Sequence, residues 1–337
     1  MDCAETARFL RCCASSWYTH RVSAFEHVSV LTQPVLEYLS LQDHKTYVDG
    51  TLGGAGHARA ILDRCPNASI IGIDRDPAAL AAARERLGDR AHLVHGDYAD
   101  LPQILRDLNV DQVDGILLDL GVSSPQLDRA DRGFSFSKDG PLDMRMDPTR
   151  GLTALDLIRQ TDVATLGELI LDLGEERHGR KIARLVKEAE PSTTTELAAI
   201  IAKAIPIVEQ RKSKIHPATR TFQALRIAVN AELEQLERIL DAFPDLLAPG
   251  GRCAIISFHS LEDRPVKNRF RDLAWTTSLP RHLAVQAGER VDAVCELVTR
   301  KAIFADDDET ARNPRSRSAR LRVCERTAAP NVPAQRR

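Results

Sequence analysis

Thr46-Tyr-Val-Asp-Gly-Thr-Leu-Gly-Gly-Ala-Gly-His57, followed by Ser69-Ile-Ile-Gly-Ile-Asp74, decides how this chain folds. A short apolar run opens into a glycine-rich turn, and a second apolar run ends on an acid. Glycines let a backbone approach a ligand closely, and an acid at the second strand tip takes ribose hydroxyls, so the pair predicts a nucleoside-binding sheet. The alternation continues outward. Ala58–Arg64 reads as a helix, and Pro77 stands ahead of another, Ala78–Leu87, made almost wholly of strong helix formers. Ala91–His95 is a third strand, Leu101–Leu108 a third helix, and Ile116–Leu118, in the apolar run from Val113, a fourth strand. Strand, helix and strand in tight succession predict a doubly wound, mostly parallel α/β sheet.

After the fourth strand the pattern changes. Asp119-Leu-Gly-Val-Ser-Ser-Pro-Gln126, Asp128-Arg-Ala-Asp-Arg-Gly-Phe-Ser-Phe136 and Pro141-Leu-Asp-Met-Arg-Met-Asp147 form a long stretch dense in Gly, Pro, Ser, Asp and Arg. Loops of that length in a compact domain are usually functional, and at a strand's carboxyl end this one reads as an active-site wall. Helical spacing alone then marks Ala154–Gln160, Val163–Leu173, Glu176–Glu188 and Thr195–Ala204. The expected division is a main domain of residues 25–126 and 218–326 and an all-helical insert of residues 127–217. Residues 1–24 and 327–337 are expected to be a disordered extension and tail. One long helix, Thr219 to Leu240, resumes the main domain, with Phe222, Leu225, Val229, Leu233, Leu236 and Leu240 as a single stripe facing the sheet. Pro249-Gly-Gly251 reads as a turn, Arg252–Ser257 as the fifth strand, and Val291–Val298 and Ala319–Glu325 as the last two.

The composition agrees. Aromatics are only 4% of 337 residues against 43% apolar overall, so the core is aliphatic, which suits parallel strands under helices. A net charge of −2 argues against a general polyanion binder, yet two basic patches, Arg211–Arg220 and Arg312–Arg322, leave room for a local cationic face. Seven cysteines without a Cys-x-x-Cys pair read as reduced cytosolic thiols, and the spacing of His, Cys and acids offers no metal site. No apolar stretch reaches the length that spans a bilayer. A cytoplasmic protein is expected.

Two cofactors compete for the glycine turn. A nicotinamide dinucleotide wants Gly-x-Gly-x-x-Gly, but Arg59 stands where the third small residue belongs after Gly54 and Gly56. Asp49 at the first strand tip would repel a pyrophosphate but can orient an ammonium group. The residues favour S-adenosylmethionine, which carries that ammonium and no phosphate.

These motifs resemble the RsmH/MraW family, S-adenosylmethionine-dependent methyltransferases of a class I, Rossmann-like fold that modify N4 of a cytosine in 16S ribosomal RNA. The matching segments run in order from about residue 26 to 326. They include Tyr47–His57, Gly72–Pro77, Asp119–Phe136, Pro141–Asp147, Gly174-Glu-Glu-Arg177, His216–Arg226, Ser257-Phe-His-Ser-Leu-Glu-Asp-Arg264 and Asn313–Arg322. The resemblance implies that Ala55, Gly56 and His57 approach the methionine part, Asp74 the ribose and Tyr98 the adenine, with Asp119 and Gln126 completing the pocket. It also implies a decoding-centre cytosine of the small subunit, or of its late assembly intermediate, as the target. Departures lie at His178-Gly179, where an aromatic and alanine are common, and at Ala302, where proline is usual.

Methyl transfer to N4 needs the amine held by acceptors, in-line placement and a proton sink. Attack from C5 would need an activated thiolate, and neither Cys65 nor Cys253 has that setting. The Ser123-Ser124-Pro125 turn is expected to hold the amine through carbonyls and hydroxyls, with Asp119 as electrostatic partner. His259 is a candidate proton acceptor or RNA contact, or a structural histidine. Arg145, Arg220, Arg226, Arg315 and Arg317 are the candidate RNA contacts, and the insert is the natural lid for a flipped base. Two rival readings keep the fold: an amino-methyltransferase acting on another substrate, and a non-catalytic subunit assembly factor.

Overall fold

The computed structural model describes residues 29–275, 283 and 293–331. Seven strands form one sheet in the order β3-β2-β1-β4-β5-β7-β6: β1 Thr46–Asp49, β2 Ser69–Asp74, β3 Ala91–His95, β4 Val113–Asp119, β5 Leu247–Ser257, β6 Cys295–Leu297 and β7 Arg320–Arg326. The first five run parallel, while β7 pairs antiparallel with both β5 and β6. The strand order reverses between β1 and β4, the crevice where doubly wound sheets hold ligands. Register places Asp49 opposite Gly72 and Leu117, Asp74 opposite His95, and Asp119 opposite Ile256, so all three acids end on one edge.

Helices cover both faces. Thr32–Tyr38 (α1), Gly56–Arg64 (α2) and Pro77–Leu87 (α3) pack one side through Val35, Ile61 and Leu80. Leu101–Asp107 (α4) packs the other through Leu101 and Leu105. Ser124–Asp128 (α5), Ala154–Gln160 (α6), Val163–Gly174 (α7), Gly179–Ala189 (α8), Thr194–Ala204 (α9) and Ile207–Lys212 (α10) follow β4 without a strand between them. They enclose a separate core that includes Phe134, Leu142, Ile170, Ile182 and Ile201. No helix among the described residues is long and apolar enough to cross a membrane.

The long helix expected from Thr219 to Leu240 is two helices, Thr219–Asn230 (α11) and Glu232–Leu246 (α12). They are divided at Ala231, whose φ of 49° is left-handed. Its stripe divides with it: Phe222 and Leu225 are buried in the insert's core, whereas Leu236 and Leu240 are buried against the sheet. One residue in the left-handed region turns the chain from one core to another, and a three-and-four spacing cannot register that break.

Other boundaries shift for local reasons. The helix expected from Glu176 begins at Gly179, because left-handed Glu175 (φ 49°) ends α7 and the chain turns tightly there. A Cβ on Gly179 would lie 2.6 Å from the carbonyl oxygen of Gly167, so α8 and α7 can meet this closely only through glycine. Pro249-Gly-Gly251 lies inside β5 as an irregularity of register, with Gly250 at φ 84°, and not in a turn before it. The sixth strand is shorter than expected, with residues 291 and 292 outside the described residues. Ser260–Leu273 (α13) and Asp307–Arg312 (α14) carry residues expected only as loop. The tail expected from residue 327 stays bonded to residue 331: Thr327 N–H donates to Val294, and Asn331 Nδ2 to Asp245 Oδ1 at 3.0 Å. The expected extension, residues 1–24, lies outside the described residues.

Candidate active site

The three acidic strand tips create an unusual electrostatic setting. Burial pushes the Asp49 carboxyl up to about 7 and that of Asp74 up to about 6, the second in spite of two backbone N–H donors. Those donors are Gly53, to Oδ2 at 2.7 Å, and Asp76, to Oδ1 at 2.8 Å. Asp119 is raised well above the usual carboxylate range, by burial first and then by the neighbouring charges of Asp49 and Glu262. Its Oδ1 is buried without a hydrogen-bond partner. Carboxyls raised in this way would ionise more readily beside a ligand that carries a positive charge.

A cleft runs over two of these tips, lined among others by Gly53, His57, Asp74, Tyr98, Asp119 and Ser124, while Asp49 is buried and outside its lining. Helix α2 is capped by Ala55 (φ 60°), and a Cβ on Gly56 would meet Ser29 Oγ, so a larger residue there would have to displace the serine side chain. His57 Nε2 lies 2.9 Å from the Val30 carbonyl, which can only accept, so the ring proton sits on Nε2 and Nδ1 turns to Asp119 Oδ2 at 3.9 Å. Tyr98 is half-buried at the opposite wall, its hydroxyl reaching the Glu232 carbonyl at 3.5 Å.

The loop after β4 supplies the third wall. Leu120 N–H still donates to Ile256 (3.0 Å), and Gly121 turns at φ 97°. Ser123, Ser124 and Gln126 line the cleft, while Pro125 does not. This segment is the start of α5 and not an open turn. The carbonyls of Ser123 and Pro125 already accept from Leu127 and Arg129 within it, so the amine-holding role expected of this turn's carbonyls loses those two oxygens. Gln126 is held by two bonds, with Oε1 accepting from Ser123 N at 3.0 Å and Nε2 donating to Asp76 Oδ2 at 3.2 Å.

The arginines expected on RNA separate into three kinds. Arg226 is half-buried and its guanidinium grips both Glu232 oxygens (2.8 and 2.9 Å), which commits it to that carboxylate instead of a phosphate. Arg145 is held in a two-point pair with Asp143 (2.8 and 2.7 Å). Arg220, Arg315 and Arg317 are exposed. Arg315 borders the cleft and reaches Asp128 Oδ1 at 2.8 Å, so it ties the segment before β7 to the insert's first helix.

His259 does not line the cleft. It belongs to a buried network in which Nε2 meets Glu262 Oε1 (3.1 Å) and Arg226 Nη2 (3.3 Å), while Nδ1 is buried without a partner. Glu262 lies in the cleft wall. Burial pushes its carboxyl up, but the His259 bond, the Arg226 charge and the Phe258 N–H outweigh that and hold it below the ordinary value.

Sequence reasoning missed the groups that fasten the insert to the donor strands. Arg132 donates to Asp76 Oδ2 (2.7 Å) and to the carbonyls of Arg145 and Met146 (3.0 and 2.9 Å), with Arg132 and Asp76 both buried. Arg75 pairs with Asp97 and donates to the Asn230 carbonyl at 2.9 Å. Asn230 in turn bonds Met146 N and the Met144 carbonyl. A buried arginine and its acid lie 56 residues apart here, and only the density of Asp and Arg in the loop hinted at them.

Comparison with known proteins accords with this geometry. Curated relatives named ribosomal RNA small subunit methyltransferase H include one from Myxococcus xanthus, 51% identical over 90% of this chain and 98% of its own length. Another, from Geobacter sp. strain M21, is 50% identical over 90% of this chain and 99% of its own. The Nitrosospira multiformis protein of that name is 48% identical over 90% and 98%. The model of the MraW methylase family matches residues 24–327, which takes in the cleft, the insert and the antiparallel strands, and this chain belongs to that family.

Proposed function

We propose that this chain transfers a methyl group from S-adenosylmethionine to the exocyclic N4 of a decoding-centre cytosine in 16S ribosomal RNA, acting in the cytoplasm on the small subunit or its late assembly intermediate. Family membership and the names of the relatives support methyl transfer to small-subunit RNA as the reaction class. The observation that carries the atomic reading is the buried, unpartnered Asp119 Oδ1 among raised carboxyls at the switch point of the sheet. An anion site awaiting a cation fits a sulfonium donor with an ammonium group, and does not fit a dinucleotide phosphate.

When bound, S-adenosylmethionine supplies an electrophilic methyl on a positively charged sulfur. The rest falls to the chain's own groups. Asp74, fixed by the N–H groups of Gly53 and Asp76, faces the cleft to accept from ribose hydroxyls. Tyr98 offers a half-buried ring for the adenine, and the Ala55-Gly56-His57 turn takes the methionine end. Asp119 ionises beside a cation. Its free Oδ1 then accepts an N–H of the cytosine amine, keeps the nitrogen lone pair out of conjugation, and takes the proton released on methylation. The raised proton affinity of Asp119 makes it a better sink than an exposed carboxylate. The hydroxyls of Ser123 and Ser124 line the same wall and help to hold the amine.

The test is methyl transfer to small subunits from a strain deleted for this gene, followed by digestion and nucleoside mass spectrometry. N4-methylcytidine at one decoding-centre position is expected. A methyl group on another atom, or none in RNA, overturns the reading.

A further inference from the structure

We propose that a groove on the helical insert, centred on His216, is a second RNA subsite. There an unpaired base flanking the target stacks on the imidazole, and its phosphates lie on Lys212 and Arg220. This rests on the RNA substrate argued above and adds a place where that RNA is held. The groove is walled by Glu176, Arg177, His178, Lys212, His216 and Arg220, none of which lines the catalytic cleft.

His216 is exposed yet fixed. Its ring stacks on Phe136 with centroids 4.5 Å apart and planes 29° from parallel, and Phe136 stands edge-on to the buried Phe222 at 5.0 Å. Nδ1 accepts the Ala218 N–H at 3.1 Å, which leaves the ring proton on Nε2 as a donor. An aromatic ring backed by the core and open to solvent is a preorganised stacking platform, because no side-chain freedom remains to be lost on binding. Recognition of single-stranded RNA relies on such rings flanked by cations.

The charges suit the same ligand. Glu209, the acid nearest the cations, is already committed to Arg177 and to His178 Nε2 at 2.9 Å. Glu176 is buried, with Oε1 accepting the His178 N–H at 2.9 Å. Exposed Lys212 and Arg220 line the groove, Arg211 and Lys214 next to Lys212 in the sequence are exposed as well, and exposed Ile215 adds an apolar surface for a base. A cationic edge beside a stacking ring matches a phosphodiester chain with splayed bases.

The groove adjoins the catalytic cleft. Arg220 Nη1 donates to the Glu175 carbonyl (3.2 Å), and the Glu175 carboxylate accepts from Ser260 Oγ (3.0 Å). Ser260 opens α13, whose Glu262 lines the cleft, so one helix end separates the two.

The experiment measures steady-state methyl transfer to unmethylated small subunits, together with the salt dependence of subunit binding, by the full chain and three variants. His216→Ala raises KM for the subunit about tenfold with little change in kcat, as loss of one base stack requires, and His216→Phe restores most of it. Lys212→Gln lowers the slope of log affinity against log salt by roughly 0.7, one phosphate contact on a single strand. His216→Ala with the KM of the parent protein overturns the proposal. So does a His216→Phe variant as impaired as His216→Ala, or an unchanged salt slope in Lys212→Gln. Should His216→Ala fail to fold, His216→Phe and Lys212→Gln decide by the same criteria. Absence of N4 methylation by the parent chain would defeat the reading of the reaction instead, and the two failures are separate.

Discussion

The donor half and the acceptor half of the cleft are built by different means. On the donor side, Asp49, Asp74 and Asp119 sit at the tips of three adjacent parallel strands, each placed by a short local motif. On the acceptor side, the walls come from α5, the 129–147 loop, α12 and α13, joined by ion pairs such as Arg132–Asp76 and Arg315–Asp128, whose partners lie far apart in sequence, and by the shorter-range pair of Arg226 with Glu232. A site fixed by sheet register is rigid before any ligand arrives. One fixed by buried ion pairs depends on every partner being present.

The comparison can be broken most severely at the junction of the halves. Asp119→Asn keeps the shape but removes the proton acceptor and one charge of the cation site, so kcat is expected to fall on the order of 10³-fold and donor affinity to weaken. Rapid-quench methyl transfer checks this, and a loss below tenfold would move the proton sink elsewhere. Next in size is Arg132→Met. It strands the buried Asp76 carboxylate, and unfolding in urea should show a loss of about 3–5 kcal/mol. A loss under 1 kcal/mol would mean that the insert is not fastened through this pair. Smaller again, Gly179→Ala forces a Cβ against the Gly167 carbonyl and should cost about 1–3 kcal/mol. Faster proteolysis of the insert with unchanged donor affinity would show that the two halves are separable.

A further expected effect concerns pH. Asp49 and Asp74 titrate near 7 and 6 in the folded chain and near 4 unfolded, so the folded state binds more protons between those values. Stability of the free protein therefore falls as pH rises from about 4 to 7. Thermal melts across that range check it, and Asp49→Asn should flatten the upper part.

The donor half was legible because each piece is contiguous: glycine turn, strand, terminal acid. The parallel sheet followed from the alternation and the insert from helical spacing without strands, whereas the strand order and the antiparallel pairing of the last two strands were not read from the sequence. The acceptor half was not. Arg226 looked like an exposed helix arginine because Glu232 joins it only across the left-handed break at Ala231, which apolar periodicity does not reveal. His259 looked like a rim residue because the length of α13 was invisible, and with it the Glu262 carboxylate one turn along. Asp76 and Arg132 are individually ordinary, and their meaning lies in their meeting. Gln126 lines the cleft as the sequence led one to expect, and what holds it there, Ser123 and Asp76, was not legible.

The central claim is that buried carboxyls at the strand tips form a cation site that ionises on binding the donor. Calorimetry of S-adenosylmethionine binding from pH 5.5 to 8, in buffers of different ionisation enthalpy, tests it most directly. The account predicts that affinity rises with pH through the interval 6–7 and that protons are released on binding, with release diminished in Asp49→Asn. Affinity independent of pH and heats independent of buffer would contradict it.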